Sequence, residues 1–244
     1  MANSIYLGLI YKQTNMKRSF ILITFFILFF SNVSHTQQLG ASFSYFFPKN
    51  GYFSIPVAPV SFKDLGFKIG DYFGITTGIT LYRFSGMGVK QLPFESKLPL
   101  MGPLFATMIP LSFKIIIPTS ILKVELIGGG FGYYPFGSHL IYGNLNKEIA
   151  AYEGWYIVSS DLQFDNKFGY GYNYGGKITY FINKKIGAVL GAFYYNGSSP
   201  VNIRGDIYGG DLNNIIQTKS VEYPSSKLDF SGWEISLGVD YKVR

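Results

Sequence analysis

The chain contains no cysteine, which excludes disulfides, thiolate metal sites and a lipidated N-terminal cysteine. Charge is also scarce. Asp, Glu, Lys and Arg make up 14% of the 244 residues, against roughly 25% in ordinary globular domains. The formal charge is +7, yet no run of Lys or Arg exceeds two residues, which argues against a nucleic-acid surface. After the N-terminal region no apolar run is long enough for a membrane-crossing helix. No long stretch repeats with helical periodicity either. What is abundant is aromatic residues and glycine: 20 Tyr, 23 Phe and 29 Gly. So many aromatics exclude a disordered chain.

The N-terminal region reads as an export signal. Lys17 and Arg18 precede the apolar run from Phe20 to Phe30, and small residues follow at Ser34 and Thr36. That run has eleven residues, and a spanning helix needs about 20. A charged start, a short apolar centre and small residues at the end describe a cleaved signal peptide. Residues 1–36 are therefore expected to be an N-terminal extension and signal, with Met16 as the functional start, and residues 37–244 the mature domain. Lys12, Lys17 and Arg18 leave with the signal, so much of the basicity belongs to export.

The mature chain alternates with a period of two, the mark of strands with two unlike faces. In the last strand Trp233, Ile235, Leu237, Val239, Tyr241 and Val243 share a face, against Glu234, Ser236, Gly238, Asp240 and Lys242. Residues 168–182, 105–117 and 73–83 repeat the pattern. Weaker candidates at 39–47, 60–69, 121–133 and 186–195 bring the expected number to eight. Short turns near 69–72, 118–120 and 183–185 alternate with long connections near 48–59, 85–104, 134–167 and 196–230. Short turns at one rim and long loops at the other characterise barrels of the bacterial outer membrane. A soluble sandwich would expose many Lys and Glu; here the polar faces are mostly Gly, Ser, Thr and Asn. The expected fold is all-β: a single closed antiparallel up-and-down transmembrane barrel of about eight strands, with short periplasmic turns and long outer loops. Eight strands leave an interior that side chains just fill. Aromatics near strand ends are expected to form interfacial girdles: Tyr45, Phe46 and Phe47; Tyr72 and Phe73; Tyr133 and Tyr134; Phe168 and Tyr170; Tyr194 and Tyr195.

Over residues 39–244 the chain resembles the small outer-membrane β-barrel family (OmpA/OmpX-like, porin-family barrels). The resemblance rests on the export signal, on the apolar last strand, and on units such as Asp71-Tyr72-Phe73-Gly74-Ile75-Thr76-Thr77-Gly78 and Ile127-Gly128-Gly129-Gly130-Phe131-Gly132-Tyr133. It implies an outer-membrane location and contact with outer-membrane lipid. It carries no catalytic signature.

Strand parity directs Lys114, Lys123, Glu125, Lys177, Glu234, Asp240 and Lys242 inward. Unpaired charges in so narrow a lumen would be costly, so they are expected to pair. The sharper alternative is a narrow ion path. In the long loops Tyr142, Tyr152, Trp155, Tyr156 and Tyr208 are candidate contacts, because Trp and Tyr dominate interface hot spots. His139 beside Ser138 could suggest a lipid-modifying enzyme, but no third group converges with them, and the chain is expected not to be an enzyme. Gly128, Gly129, Gly130 and Gly132 lack the following Lys-Ser/Thr and helix of a phosphate loop, and Asp161, Asp165 and Asn166 lack calcium-loop spacing. No cofactor or metal is expected, and no nucleic-acid partner. The expected role is structural, adhesive or interactive through the outer loops, with other envelope proteins as possible partners. The alternatives are a small channel, an accessory barrel of an assembly or secretion system, and a lipid-modifying barrel.

Overall fold

The computed structural model describes residues 38–55, 61–119, 121–211 and 216–242. The expected export signal, residues 1–36, lies outside the described residues.

Eight strands form a ring: β1 (Gln38–Pro48), β3 (Ser61–Ile69), β4 (Phe73–Met87), β6 (Leu104–Pro118), β7 (Leu122–Phe136), β9 (Gly169–Phe181), β10 (Ile186–Pro200) and β13 (Lys227–Lys242). Each pairs antiparallel with its neighbours in this order. β1 closes the ring on β13, in register from Gln38 opposite Lys242 to Pro48 opposite Gly232. Closure removes the unpaired sheet edges that hydrocarbon does not tolerate. All eight expected strands fall on these eight. Several run further outward than the alternation suggested. β10 continues to Pro200 and β13 begins at Lys227, and the two pair along that whole length, so residues 196–200 and 227–230 are wall and not loop.

The outward face carries the apolar side chains. On β6, Leu111 and Phe113 are 65% and 71% exposed, with Ile109, Ile115 and Ile117 on the same side. On β13 the outward row is Trp233, Ile235, Leu237, Val239 and Tyr241, all exposed. Each square ångström of such surface costs about 25 cal/mol in water. Hydrocarbon removes that cost, and the chain is a transmembrane β-barrel of the bacterial outer-membrane type. Pro110 interrupts the wall on β6. It has no N–H, and the β4–β6 pairing skips from Thr77 opposite Leu111 to Thr80 opposite Met108. The Thr77 hydroxyl donates to the Pro110 carbonyl at 2.7 Å and restores a cross-strand bond there.

The long connections are folded. β2 (Gly51–Ile55) pairs with the outer part of β4, and β5 (Val89–Lys90) pairs with the first residues of β13, where β1 has already ended. Between β7 and β9 lie helix α1 (Tyr142–Glu153) and β8 (Ile157–Gln163). Between β10 and β13 lie β11 (Ile203–Gly210) and β12 (Gln217–Tyr223). β8, β11 and β12 form a separate three-stranded sheet. Leu145 and Ile149, one turn apart, bury the inner face of α1, and Gly154 in the left-handed conformation ends the helix by donating its N–H to Ala150. We call α1 and this sheet the cap.

Candidate functional site

The lumen has two layers. Toward the short turns lies a charged layer. Lys114, Lys123, Glu125, Lys177, Glu234 and Asp240 are all buried on the inner face. Glu125 is the hub: Lys114 reaches it at 3.1 Å, Lys123 at 3.2 Å and Lys177 at 3.1 Å. Lys177 also meets Asp240 at 3.0 Å, and Lys123 meets Asp240 at 3.8 Å. Lys242 is half-buried at the inner end of β13.

Two further charges belong to this layer. Asp64 pairs with Lys177 at 2.5 Å, and Lys63 pairs with Glu234. They are adjacent in sequence, yet both turn inward, because a bulge interrupts β3. Asp64 has φ 68°, and the pairing with β4 jumps from Phe62 opposite Ile79 to Leu65 opposite Thr77. Strict alternation could not place both inside. The signal in the sequence is the broken rhythm of Phe62-Lys63-Asp64-Leu65. With these two included, four lysines (63, 114, 123 and 177) face four carboxylates (64, 125, 234 and 240) among the described residues. These eight groups balance one another, so their buried charge is compensated locally, while Lys68 and Lys242 are only half-buried.

Toward the long loops the lumen is filled by aromatic rings. Phe46, Tyr82, Phe84, Phe131, Tyr133, Tyr195 and Phe230 are all buried. Phe230 lies at the centre. Its ring centroid is 4.8 Å from Phe46, 4.5 Å from Tyr133, 5.5 Å from Phe131 and 5.6 Å from Phe84. Room for the rings comes from inward glycines: a Cβ at Gly171 or Gly197 would come within 2.8 Å or 2.7 Å of the Phe131 ring. Tyr82 donates its hydroxyl to Glu234, which joins the two layers. This layer corrects part of the girdle expectation. Phe46, Tyr133 and Tyr195 face the lumen, because adjacent residues on a strand point to opposite sides. Their neighbours Tyr45, Phe47, Tyr134 and Tyr194 face outward. One cavity, of about 50 Å³, is lined by Ser112, Asn173, Lys177, Phe193 and Ser236, among others. At roughly 10–15 Å³ per molecule it has room for a few waters.

The apolar core continues from the plug out of the barrel. Met87, Leu100, Met101 and Leu104 join the rings to Leu145 and Ile149 of α1 and to Leu162, Ile203 and Ile207 of the small sheet. The cap is thus seated on the plug. The five loop candidates separate here. Trp155 is half-buried over Gly209, where a Cβ would come within 2.2 Å of the indole, so it is part of the cap's own packing. Tyr142 donates to the Leu162 carbonyl at 3.1 Å, and Tyr152 rests against Phe94 with centroids 5.8 Å apart. Tyr156 is 78% exposed where β8 begins. Tyr208 stands on the outer face of the small sheet, opposite Ser159 and Thr218. Burial and the neighbouring Glu153 and Tyr152 push the Tyr223 hydroxyl above its ordinary pKa. His139 is exposed, and its side chain makes no hydrogen bond or ion pair among the described residues. Among those residues no group of three His, Asp or Glu could hold a metal.

No family model matches the chain. No curated protein matches it either. Among solved structures it is similar to the outer membrane protein OprG of Pseudomonas aeruginosa, at 12% identity and TM-score 0.47, over 86% of this chain and 96% of that one. It is also similar to Ail, the attachment invasion locus protein of Yersinia pestis, at 10% identity and TM-score 0.36, over 85% and 96%. A third is the outer membrane protein W of E. coli, at 13% identity and TM-score 0.36, over 86% and 99%. Identities and scores this low fix no role for the chain.

Proposed function

We propose that this protein is a closed, non-enzymatic outer-membrane barrel that holds a folded cap at the cell surface for contact with another envelope or surface protein. The observation that carries the reading is the filled lumen: a balanced ion network at one end and seven packed rings at the other. A hydrated ion has no continuous polar path through the ring layer. The cap supports the second half of the reading. Loops that served only to join strands would not need a helix, a three-stranded sheet and a shared core. Tyr156 and Tyr208 are its exposed aromatic residues best suited to a protein partner.

The test is conductance in a planar bilayer, with a photo-crosslinking residue at position 156 as its companion. The wild-type barrel should give no current steps, and crosslinks from position 156 should go to protein. Steady single-channel steps from the wild type would replace this reading with the small-channel alternative. Crosslinks to lipid alone would remove the interaction role.

A further inference from the structure

Outside the barrel, four aromatic residues stand in register across four adjacent strands: Tyr174 on β9, Tyr194 on β10, Trp233 on β13 and Phe47 on β1. The Tyr174 and Tyr194 rings are 5.4 Å apart, and those of Tyr194 and Trp233 are 5.2 Å apart. Such rows sit where hydrocarbon gives way to lipid headgroups. Below the row the wall is apolar, with Leu190 opposite Ile178 and Leu237. Above it the wall turns polar at once. The Asn196 amide donates to the Tyr172 hydroxyl at 3.0 Å, Ser231 donates to the Asn196 carbonyl at 3.3 Å, and Lys90 donates to Ser231 at 3.3 Å.

A groove of about 480 Å³ opens at this level, with Tyr170 and Tyr172 on one side, Lys90 and Lys227 on the other, and Asn196 and Ser198 between them. Its electrostatics are unfinished. Lys90 and Lys227 lie directly opposite each other on β5 and β13. Like charges in that position repel. Lys90 is answered by Asp229 at 2.7 Å. That carboxylate is fully buried and also accepts from the Asn50 amide at 3.1 Å, so it is committed. Lys227 has no carboxylate within ion-pair distance among the described residues. The groove therefore carries a net positive charge at headgroup depth, with phenol hydroxyls facing it. Because Tyr172 already accepts from Asn196, its O–H is left to donate.

We propose that this groove binds the phosphate-bearing headgroup of an outer-leaflet lipid. Lys227 and Lys90 donate to the phosphate oxygens, which relieves their mutual repulsion with charge-assisted hydrogen bonds. The Tyr170 and Tyr172 hydroxyls and Ser198 meet the rest of the headgroup. The acyl chains run down the wall over Tyr194 and Leu190. The site stands apart from the lumen: a conducting lumen would leave it intact, and its loss would leave the lumen closed.

The test is native mass spectrometry of the full chain released from bilayers that contain a phosphorylated glycolipid or its dephosphorylated counterpart. The unboiled gel mobility of each variant serves as the check on folding. The wild type should retain the phosphorylated lipid about tenfold better than the dephosphorylated one. Lys227→Gln, which breaks no ion pair, should lower retention about tenfold, one charge-assisted contact. Lys227→Arg should restore it. Lys184→Gln, in the turn at the opposite rim, should change nothing. Equal retention of the two lipids would overturn the proposal, as would full retention by folded Lys227→Gln. Protection of the groove by inorganic phosphate alone, as strong as by the lipid, would make it a free-anion site and overturn the lipid assignment.

Discussion

Toward the short turns the lumen is filled by four lysines and four carboxylates; toward the long loops it is filled by seven aromatic rings that run on into the cap. The two fillings hold the barrel together by different physics. The ion layer is directional. Each charge needs its own partner, and a slip of one residue in any strand would swing that strand's charges into lipid. The ring layer is non-directional. Its strength is buried area, and neighbouring rings can shift to cover a small loss. The charged half thus specifies the register of the wall, while the aromatic half supplies cohesion and a base for the cap.

The sharpest way to break this contrast is at the hub. Glu125→Gln leaves Lys114, Lys123 and Lys177 buried beside one carboxylate fewer. Removing one partner from a buried network costs about 3–5 kcal/mol. Urea unfolding in detergent should show a loss of that size, and a loss below about 1 kcal/mol would show that the lumen is wet enough to screen its charges. Phe230→Ala should come next, at about 3 kcal/mol, the low end for a deleted core ring because six other rings can close in. Limited proteolysis should then cut the cap of this variant before the barrel; a cap as resistant as in the wild type would mean that it does not depend on the plug. Thr77→Val removes the hydroxyl that serves the gap beside Pro110 and should cost about 1 kcal/mol, read as a lower temperature for the unboiled-to-boiled gel shift.

The smallest effects are expected on the cap surface. Lys219→Gln deletes a pair with Glu153 whose lysine is half exposed, and should change stability by about 0.5 kcal/mol or less in the same urea titration. Tyr223 adds a pH signature. Its folded pKa is raised, so the fold favours the protonated phenol. The stability it contributes is present below the ordinary tyrosine pKa of about 10 and is lost as pH rises through and above it. Cap proteolysis should accelerate in alkali at that point, and Tyr223→Phe should abolish the step.

The barrel was legible because lipid makes its sequence simple. With hydrocarbon outside and a narrow lumen inside, every wall residue answers one question, in or out, at period two. The rhythm of Trp233 to Tyr241 against Glu234 to Asp240 needs no tertiary knowledge to read. Parity also carries the seven strand charges from Lys114 to Lys242 to the inner side, but it cannot say which lysine meets which carboxylate. It cannot reach Lys63 and Asp64, because a bulge breaks the count at that place. It misleads where aromatics are adjacent: Phe46, Tyr133 and Tyr195 look like girdle residues and fill the lumen. The cap was hidden for a further reason. α1 buries only Leu145 and Ile149, too few to set a helical rhythm, and β8, β11 and β12 are short and depend on one another and on the plug for burial.

By itself the sequence determined a closed barrel of eight strands in the outer membrane, with short turns at one rim and long connections at the other. Alternation and the need to pair every backbone group in lipid leave a chain of this kind little other choice. Tertiary structure alone decided that Glu125 is a hub, that seven rings stack above it, that the loops fold into a cap, and that Lys90 and Lys227 meet across two strands. Each of these depends on residues far apart in the chain meeting at one height of the ring, and that height is set by strand register, which local sequence does not encode.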